Sequence, residues 1–472
     1  MSITKQVAHN TFFQILGKII STFLGLAAMA MLTRYLGEEK FGWYITTISF
    51  LSFVGILIDF GMTPVTAQML GEGKFEKSKL LNNLLTFRFF SALIFLSISP
   101  LFALFFPYPP EVKIAIAYTT ISFLAIAINQ VLIGFLQENL KMHIQATGEI
   151  LGRIFLVLGL FFVIYNQGQF MDLMWIIILA SVVYTGSLYL YIRKKIKLNF
   201  SFDKNIWLGI VYKMWPITVA IIFNVVYLRG DVLLLSYFRP QLEVGIYGAA
   251  YRVIDIVVQT AMMVMGVMLP LLANSWTQGK KEEFQERYQL SFDAMMLIAI
   301  PMFTGLFLLA HEIMVFVAGE KFLTSGDALQ ILALAILGVF LGGVFGHLAV
   351  ALNLQKKVLW VYISNAVITL TGYLIFIPKY GMYGAAWMTV FSEFYAGIML
   401  IFVIKKYFYK ALKLKLFSKI LLASLVMGIF IYFIKLPVLV TILLSSVVYF
   451  VVLLLTKAVT KNNLKEIISL KS

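Results

Sequence analysis

The sequence predicts an all-α polytopic membrane protein of about fourteen transmembrane helices, and three observations carry that class. Of 472 residues, 61% are hydrophobic and only 13% charged, against about 45–50% and about 25% in soluble domains. Apolar runs of about 18 residues or more recur from one end to the other, each long enough to cross a bilayer. Hydrocarbon offers the backbone no hydrogen-bond partner, so these runs are helices. Finally, an apolar–hinge–apolar unit occurs twice, as LTRYLGEEKFGWYITTISFLSFVGILIDFG at 32–61 and LSYFRPQLEVGIYGAAYRVID at 235–255. Phe41-Gly42-Trp43-Tyr44 aligns with Val244-Gly245-Ile246-Tyr247 at an offset of 203 residues. One such unit per half is the mark of a duplicated membrane transporter.

Taken in order, the spans are expected near 9–33, 41–66, 80–106, 112–138, 144–165, 171–192 and 207–229. Seven more follow near 244–275, 288–318, 327–354, 358–377, 381–404, 418–435 and 437–456. Several exceed 25 residues, which implies tilt or extension beyond the hydrocarbon. The first ends in Ala28-Met29-Ala30, a signal-peptidase-like triplet, but only Lys5 charges its n-region, its run is long and Lys18 interrupts it. It is therefore expected to be a retained span. The second is expected to break near Gly61 and Pro64.

Orientation comes from the connections. Odd-to-even connections carry seven basic residues, whereas the other side, with both termini, carries about 25, including Arg193-Lys194-Lys195-Ile196-Lys197 and Lys405 through Lys419. A bias of this size places both termini in the cytoplasm and the chain in the cytoplasmic membrane. The net charge of +16 thus reflects topology, and no nucleic-acid partner is expected. The repeat divides the chain into an N-terminal lobe at 1–192, a basic cytoplasmic linker at 193–206 and a C-terminal lobe at 207–404. Residues 405–472 supply a second basic linker, an appended hairpin of spans 13 and 14, and a cytoplasmic tail. The stretch 405–417 reads either as a basic amphipathic segment on the inner leaflet or as a topogenic anchor. No connection exceeds about fifteen residues, which leaves no soluble domain for an enzyme's chemistry. Cysteine is absent and the four histidines (His9, His143, His311, His347) are far apart, so no metal site or cofactor is expected.

Charges inside spans cost about 2.5–3.5 kcal/mol each on insertion scales, and each needs a reason. Lys18 lies about nine residues into span 1, roughly 14 Å deep, a position that suits a cavity-facing cation. Arg252 and Asp255 stand three apart on one face of span 8, as a mutual ion pair or as a substrate or ion site. Arg229 and Asp231 close span 7 as a gate or a structural pair. Arg88 in span 3 has both readings as well. Asp59 precedes the expected break in span 2, where it either binds a proton or cation or caps the helix, and Glu393 is a lone acid in span 12 with the same alternatives. Glu149 and Arg153 form an i, i+4 pair read as structural. His347, among Gly342, Gly343 and Gly346, reads as a packing histidine. Six basic side chains lie within spans (Lys18, Arg88, Arg153, Lys213, Arg229, Arg252). Because arginine binds phosphate oxygens bidentately and lysine adds a point charge, a cationic interior points to an anionic substrate.

The stretch from Asn10 to Gln68, with GKIISTFLGL, LTRYLGEEKFGWY and IDFGMTPVTAQ, resembles the opening of Wzx-type oligosaccharide flippases. RGDVLLLSYF, EVGIYGAAYRVID, LPLLANSW and Tyr380-Gly381-Met382-Tyr383-Gly384-Ala385-Ala386 continue the likeness over nearly the whole chain. That family shares a superfamily with lipid II flippases and multidrug antiporters. The resemblance implies two six-helix lobes in a V with the last hairpin outside, and export of a polyprenyl-pyrophosphate-linked oligosaccharide from the inner to the outer leaflet. It implies that Lys18 occupies a basic, cavity-facing position of span 1, as lysine where arginine is common, and that Arg252 does so in the second lobe. On this reading Lys18, Arg88 and Arg252 attract the headgroup and rocking about the two hinges exposes the sugar. Asp59, Asp255 or Glu393 couples the motion to H+ or Na+, and a polysaccharide polymerase or glycosyltransferases are partners. Three other readings stand beside it: an ion-coupled multidrug antiporter, a membrane-embedded transferase or ligase acting on lipid-linked glycans, and a scaffold for an envelope-synthesis complex.

Overall fold

The computed structural model describes residues 3–59, 61–408 and 411–458, with side chains from 13 onward except at 15, 56–59 and 216–228. The described chain is helical and contains no strand. Its helices are α1 (Ile3–Asp59), α2 (Met62–Gly71), α3 (Lys77–Leu104), α4 (Pro110–Glu138), α5 (Met142–Tyr165), α6 (Phe170–Arg193) and α7 (Lys204–Phe238). They continue as α8 (Gln241–Thr277), α9 (Lys281–Leu308), α10 (Ala310–Ala318), α11 (Ser325–Ala351), α12 (Gln355–Tyr407), α13 (Lys415–Phe433) and α14 (Val438–Leu455). Among the described residues, eleven helices are long and apolar enough to cross a membrane. The protein is a multi-pass membrane protein.

Two of those helices hold two spans each. At 57 residues, α1 would reach about 85 Å if straight, nearly twice the thickness of a bilayer with its headgroups. Gly37, at φ 70° and ψ −179°, breaks it, a conformation that costs glycine little. The first arm runs parallel to α5: Ser21 meets Glu149 and Tyr35 donates a 2.6 Å hydrogen bond to the Gly168 carbonyl. The second arm turns back against the start of α6, where Trp43 meets Phe170, and against α4, where Gly55 meets Phe123. Gly61 (φ 68°) then kinks that arm into α2, where the sequence expected a break. Similarly, α12 reverses at Gly381 (φ 57°), bringing Tyr373 Oη to 3.1 Å from Thr389 Oγ1, sixteen residues on. With both arms of α1 and α12 counted, and with the 35-residue α7, the described residues come to about the fourteen spans expected.

The chain divides into two compact units, 1–245 and 246–472. In the first, α1 packs on α4, α5 and α7, and α3 on α4. One end of this unit gathers charge: Lys77 bonds Glu138 at 2.7 Å, Lys79 bonds Asp203 at 2.6 Å and Lys213 bonds Glu72. The basic connection after α6 is held there. The Asn82 side chain donates to the Lys197 carbonyl (3.1 Å) and accepts from Asn199 N–H (3.1 Å). Ser201 N–H donates to Thr86 Oγ1 (2.9 Å) and Asp203 N–H to Asn83 Oδ1 (2.7 Å). Alternate N–H groups of an extended segment are thus bonded by one face of α3, in place of a second strand. Asp203 then caps α7 by accepting from Asn205 and Ile206 N–H, and Lys79, followed by the cap bonds, holds its carboxyl below the usual carboxylate range.

In the second unit α11 packs on α9 and α12, and α13 on α9 and α14. Residues 405–417 are not one amphipathic helix: α12 ends at Tyr407 and α13 begins at Lys415. Phe408 packs on Trp276 and Phe284, while Gln289 exchanges two hydrogen bonds with the Lys413 backbone (2.8 and 3.1 Å). These anchors to α8 and α9 prevail over amphipathic periodicity. Residues 409–410 and the tail from 459 lie outside the described residues.

Candidate functional site

The geometry of α5 explains the first candidate cation. A Cβ added at Gly148, Gly152 or Gly159 would stand 2.6 to 2.9 Å from side-chain atoms of Ser187, Tyr184 or Ile176. This small-residue face therefore seats α6 closely. Glu149 and Arg153 are turned to a different face, toward α1. There the two helices run in step: Gly17 against Ala146, Ser21 against Glu149, Gly25 against Arg153. Ser21 Oγ donates to Glu149 Oε1 at 3.0 Å, and Lys18 Nζ lies 3.8 Å from the same oxygen. That distance permits Coulomb attraction but is beyond hydrogen-bonding reach. The three N–H donors of Lys18 therefore have no hydrogen-bond acceptor among the described residues. The i, i+4 expectation for Glu149 and Arg153 gives way to this interhelical pairing.

Arg88 is buried in α3; its Nε donates to the Ala127 carbonyl at 3.1 Å and a terminal nitrogen to Gln130. These bonds tie it to α4. Asp231 is fully buried in α7 and accepts from its neighbour's N–H at 2.7 Å, while Arg229 is half-buried two residues before it. Both have further partners. The side chain of Asp59 lies outside the described residues.

In the second unit Arg252 and Asp255 pair at 3.8 Å within α8. Glu393 is half-buried on the second arm of α12, where its backbone abuts Gly338 of α11, and Tyr362 lies within its electrostatic reach. His347 Nδ1 donates to the Gly343 carbonyl at 2.7 Å, a bond that marks it as a packing residue. Gly338 of α11 allows close approach to the second arm of α12, since a Cβ there would stand 2.8 Å from Glu393. An apolar cavity of about 630 Å³ opens beside α13, lined among others by Phe292, Met296, Phe394, Phe417 and Leu421.

Residues 7–276 match the sequence model described as polysaccharide biosynthesis protein. The chain belongs to that family. Residues 216–377, which overlap the end of that match, also match the MatE family. A probable low-salt glycan biosynthesis flippase, Agl15 of Haloferax volcanii, is 25% identical over 376 residues, covering 78% of this chain and 77% of that protein. The lipid II flippase MurJ in an inward closed conformation superposes with a TM-score of 0.79 at 20% identity, over 93% of this chain and 97% of that one. An inward-facing multidrug resistance MATE family transporter gives 0.70 at 14% identity, over 82% and 94%. This member of the family therefore has the MurJ/MATE-like helical fold.

Sequence reasoning missed one contact that shapes this family member. A Cβ on Gly42 would stand 1.8 Å from the Gln241 carbonyl oxygen, and one on Gly245 would stand 1.9 Å from that of Glu38. Thr46 Oγ1 donates to the Gln241 side chain at 2.5 Å beside this crossing. The two repeated glycines stand out at a 203-residue offset, but only the folded chain brings them against each other.

Proposed function

We propose that this protein is a flippase that carries a polyprenyl-(pyro)phosphate-linked oligosaccharide across the cytoplasmic membrane by alternating access, for synthesis of a cell-surface polysaccharide. The observation that carries the reading is Lys18, a membrane-embedded ammonium with a nearby counter-ion and unspent donors, in a chain of the polysaccharide biosynthesis family. Such a group offers a phosphate oxygen a charge-assisted hydrogen bond. Arg252, half-exposed beside Asp255, is its counterpart in the second unit. The apolar cavity along α13 suits part of a prenyl chain. Asp59, Asp255 or Glu393 couples transport to H+ or Na+, and Arg229 with Asp231 acts at a gate. Arg88, through its bonds to α4, positions the helices near the headgroup. The distribution of lysine and arginine supports cytoplasmic termini, and the lobes of the repeat, 1–192 and 207–404, are the moving parts. The enzymes that build and polymerise the glycan are its partners.

The purified protein in liposomes carrying a fluorescent polyprenyl-pyrophosphate oligosaccharide tests this. Protein-dependent loss of protection from a membrane-impermeant quencher is expected. No movement under pH and sodium gradients, together with export of cationic dyes, would replace the reading with multidrug antiport, which the MatE match favours.

A further inference from the structure

We propose that Arg153 is a headgroup-binding residue: with Lys18 it forms a two-pronged anion site along the α1–α5 face, and Glu149 is the counter-ion that the ligand displaces. The ligand class is a phosphate or pyrophosphate group. The proposal rests on the flippase reading for the identity of the ligand, but not for the existence of the site.

Arg153 sits at the midpoint of α5, eleven residues from Met142 and twelve from Tyr165, about 17 Å from either end. It is exposed, and its guanidinium makes no hydrogen bond or ion pair among the described residues. An arginine at this depth cannot face hydrocarbon cheaply, so the face that carries it is hydrated in the membrane. The Arg153 guanidinium lies against α1 at Gly25, where a Cβ would stand 3.9 Å from the guanidinium carbon, an ordinary contact distance. Gly25 is seven residues after Lys18, and seven residues return a helix to nearly the same face about 10 Å further along. Lys18 and Arg153 thus flank one stretch of α1, each with a side chain long enough to close on a group between them. Glu149 occupies the space one turn from Arg153 and 3.8 Å from Lys18. Two cations and one carboxylate leave a net charge of +1, and Ser21 Oγ holds the carboxylate on α1. An arriving phosphate supplies the acceptors that both cations lack and takes over the Coulomb role of Glu149. The arginine fork donates to two phosphate oxygens and the lysine to a third.

The test uses the full-length protein in nanodiscs without anionic lipid, titrated with geranyl pyrophosphate, inorganic pyrophosphate and phosphatidylglycerol. Arg153→Gln is expected to weaken binding of geranyl pyrophosphate about tenfold or more, and Arg153→Lys to recover part of that loss, since it restores charge but not the fork. Glu149→Gln is expected to tighten binding several-fold by removing the competing carboxylate. A purely structural Arg153 would not produce these opposite changes. Inorganic pyrophosphate binding as tightly as the prenyl form would assign a free-anion site, and competition by phosphatidylglycerol a general lipid-headgroup site; either keeps the two prongs. Unchanged affinity in folded Arg153→Gln overturns the proposal. If that variant also translocates normally while the wild type flips lipid, the site falls and the flippase reading stands. If the wild type binds through Arg153 but flips nothing, the reverse holds.

Discussion

Lys18 with Glu149, and Arg252 with Asp255, are pairs of the same length: 3.8 Å in each case. Their exposures match as well, at 38% and 22% against 37% and 21%. Yet the first joins two helices and the second lies within one. A pair within a helix travels with that helix, keeps its spacing and reports nothing about packing. A pair between α1 and α5 exists only while those helices stay in step. The same electrostatics therefore makes Arg252 a constant charge and Lys18 a conditional one, released whenever α1 shifts along α5.

Charge reversal should break this comparison most sharply. Lys18→Glu sets two carboxylates face to face across α1 and α5. It should abolish translocation, at least about 100-fold, and lower the thermal midpoint in detergent by several degrees. Arg252→Glu should abolish translocation as well but leave the midpoint nearly unchanged, because like charges within one helix cost only about 0.2–0.5 kcal/mol. Adding Glu149→Lys to Lys18→Glu should restore the midpoint without restoring transport. Equal midpoint losses for the two single reversals would show that the pairs do not differ as described.

Next in size is Gly42→Ala. A methyl group 1.8 Å from the Gln241 carbonyl oxygen must move the second arm of α1 off the first turn of α8 and strain the Thr46–Gln241 bond. Translocation should fall about tenfold with normal membrane insertion. Asn83→Ala should leave Lys18 and Arg252 as they are while loosening the clamped connection, seen as several-fold faster trypsin cleavage after Lys197.

The smallest effect concerns acid. Asp203 and Glu72 titrate below the usual carboxylate range because Lys79 and Lys213 bond them. Carboxyls lowered in the folded state stabilise it fully only above their unfolded values, 3.8 for Asp203 and 4.5 for Glu72, and lose that contribution as pH falls through their folded values. The thermal midpoint should therefore fall below about pH 4, and Asp203→Asn should flatten part of that fall. As exposed pairs they contribute little.

The fold was legible because hydrocarbon imposes a simple rule: apolar length becomes a helix. The breaks at Gly37 and Gly61 were legible for a related reason, since a glycine between apolar runs is where a helix turns at low cost. Lys18 and Arg252 announced themselves as charges where charges are expensive. The partner of Lys18 did not, because it is 131 residues away and a rule built on i, i+4 spacing assigned Glu149 to Arg153 instead. Residues 193–206 read simply as a basic cytoplasmic linker for a similar reason. Its composition is that of a loop, and nothing local reveals that Asn82, Asn83 and Thr86 of α3 bond its backbone. Arg153 was counted among the in-span bases but read as neutralised. Only the direction imposed by the glycine face of α5 leaves it unspent.

That clamp also bears on how the chain is assembled. The polar row on α3 is synthesised about 115 residues ahead of the segment that it receives. When residues 197–203 leave the ribosome, their seat is already in the membrane, and Asp203 arrives on it positioned to start α7. The seventh span thus begins from a fixed point, and the first half can close before the second glycine hinge has been made.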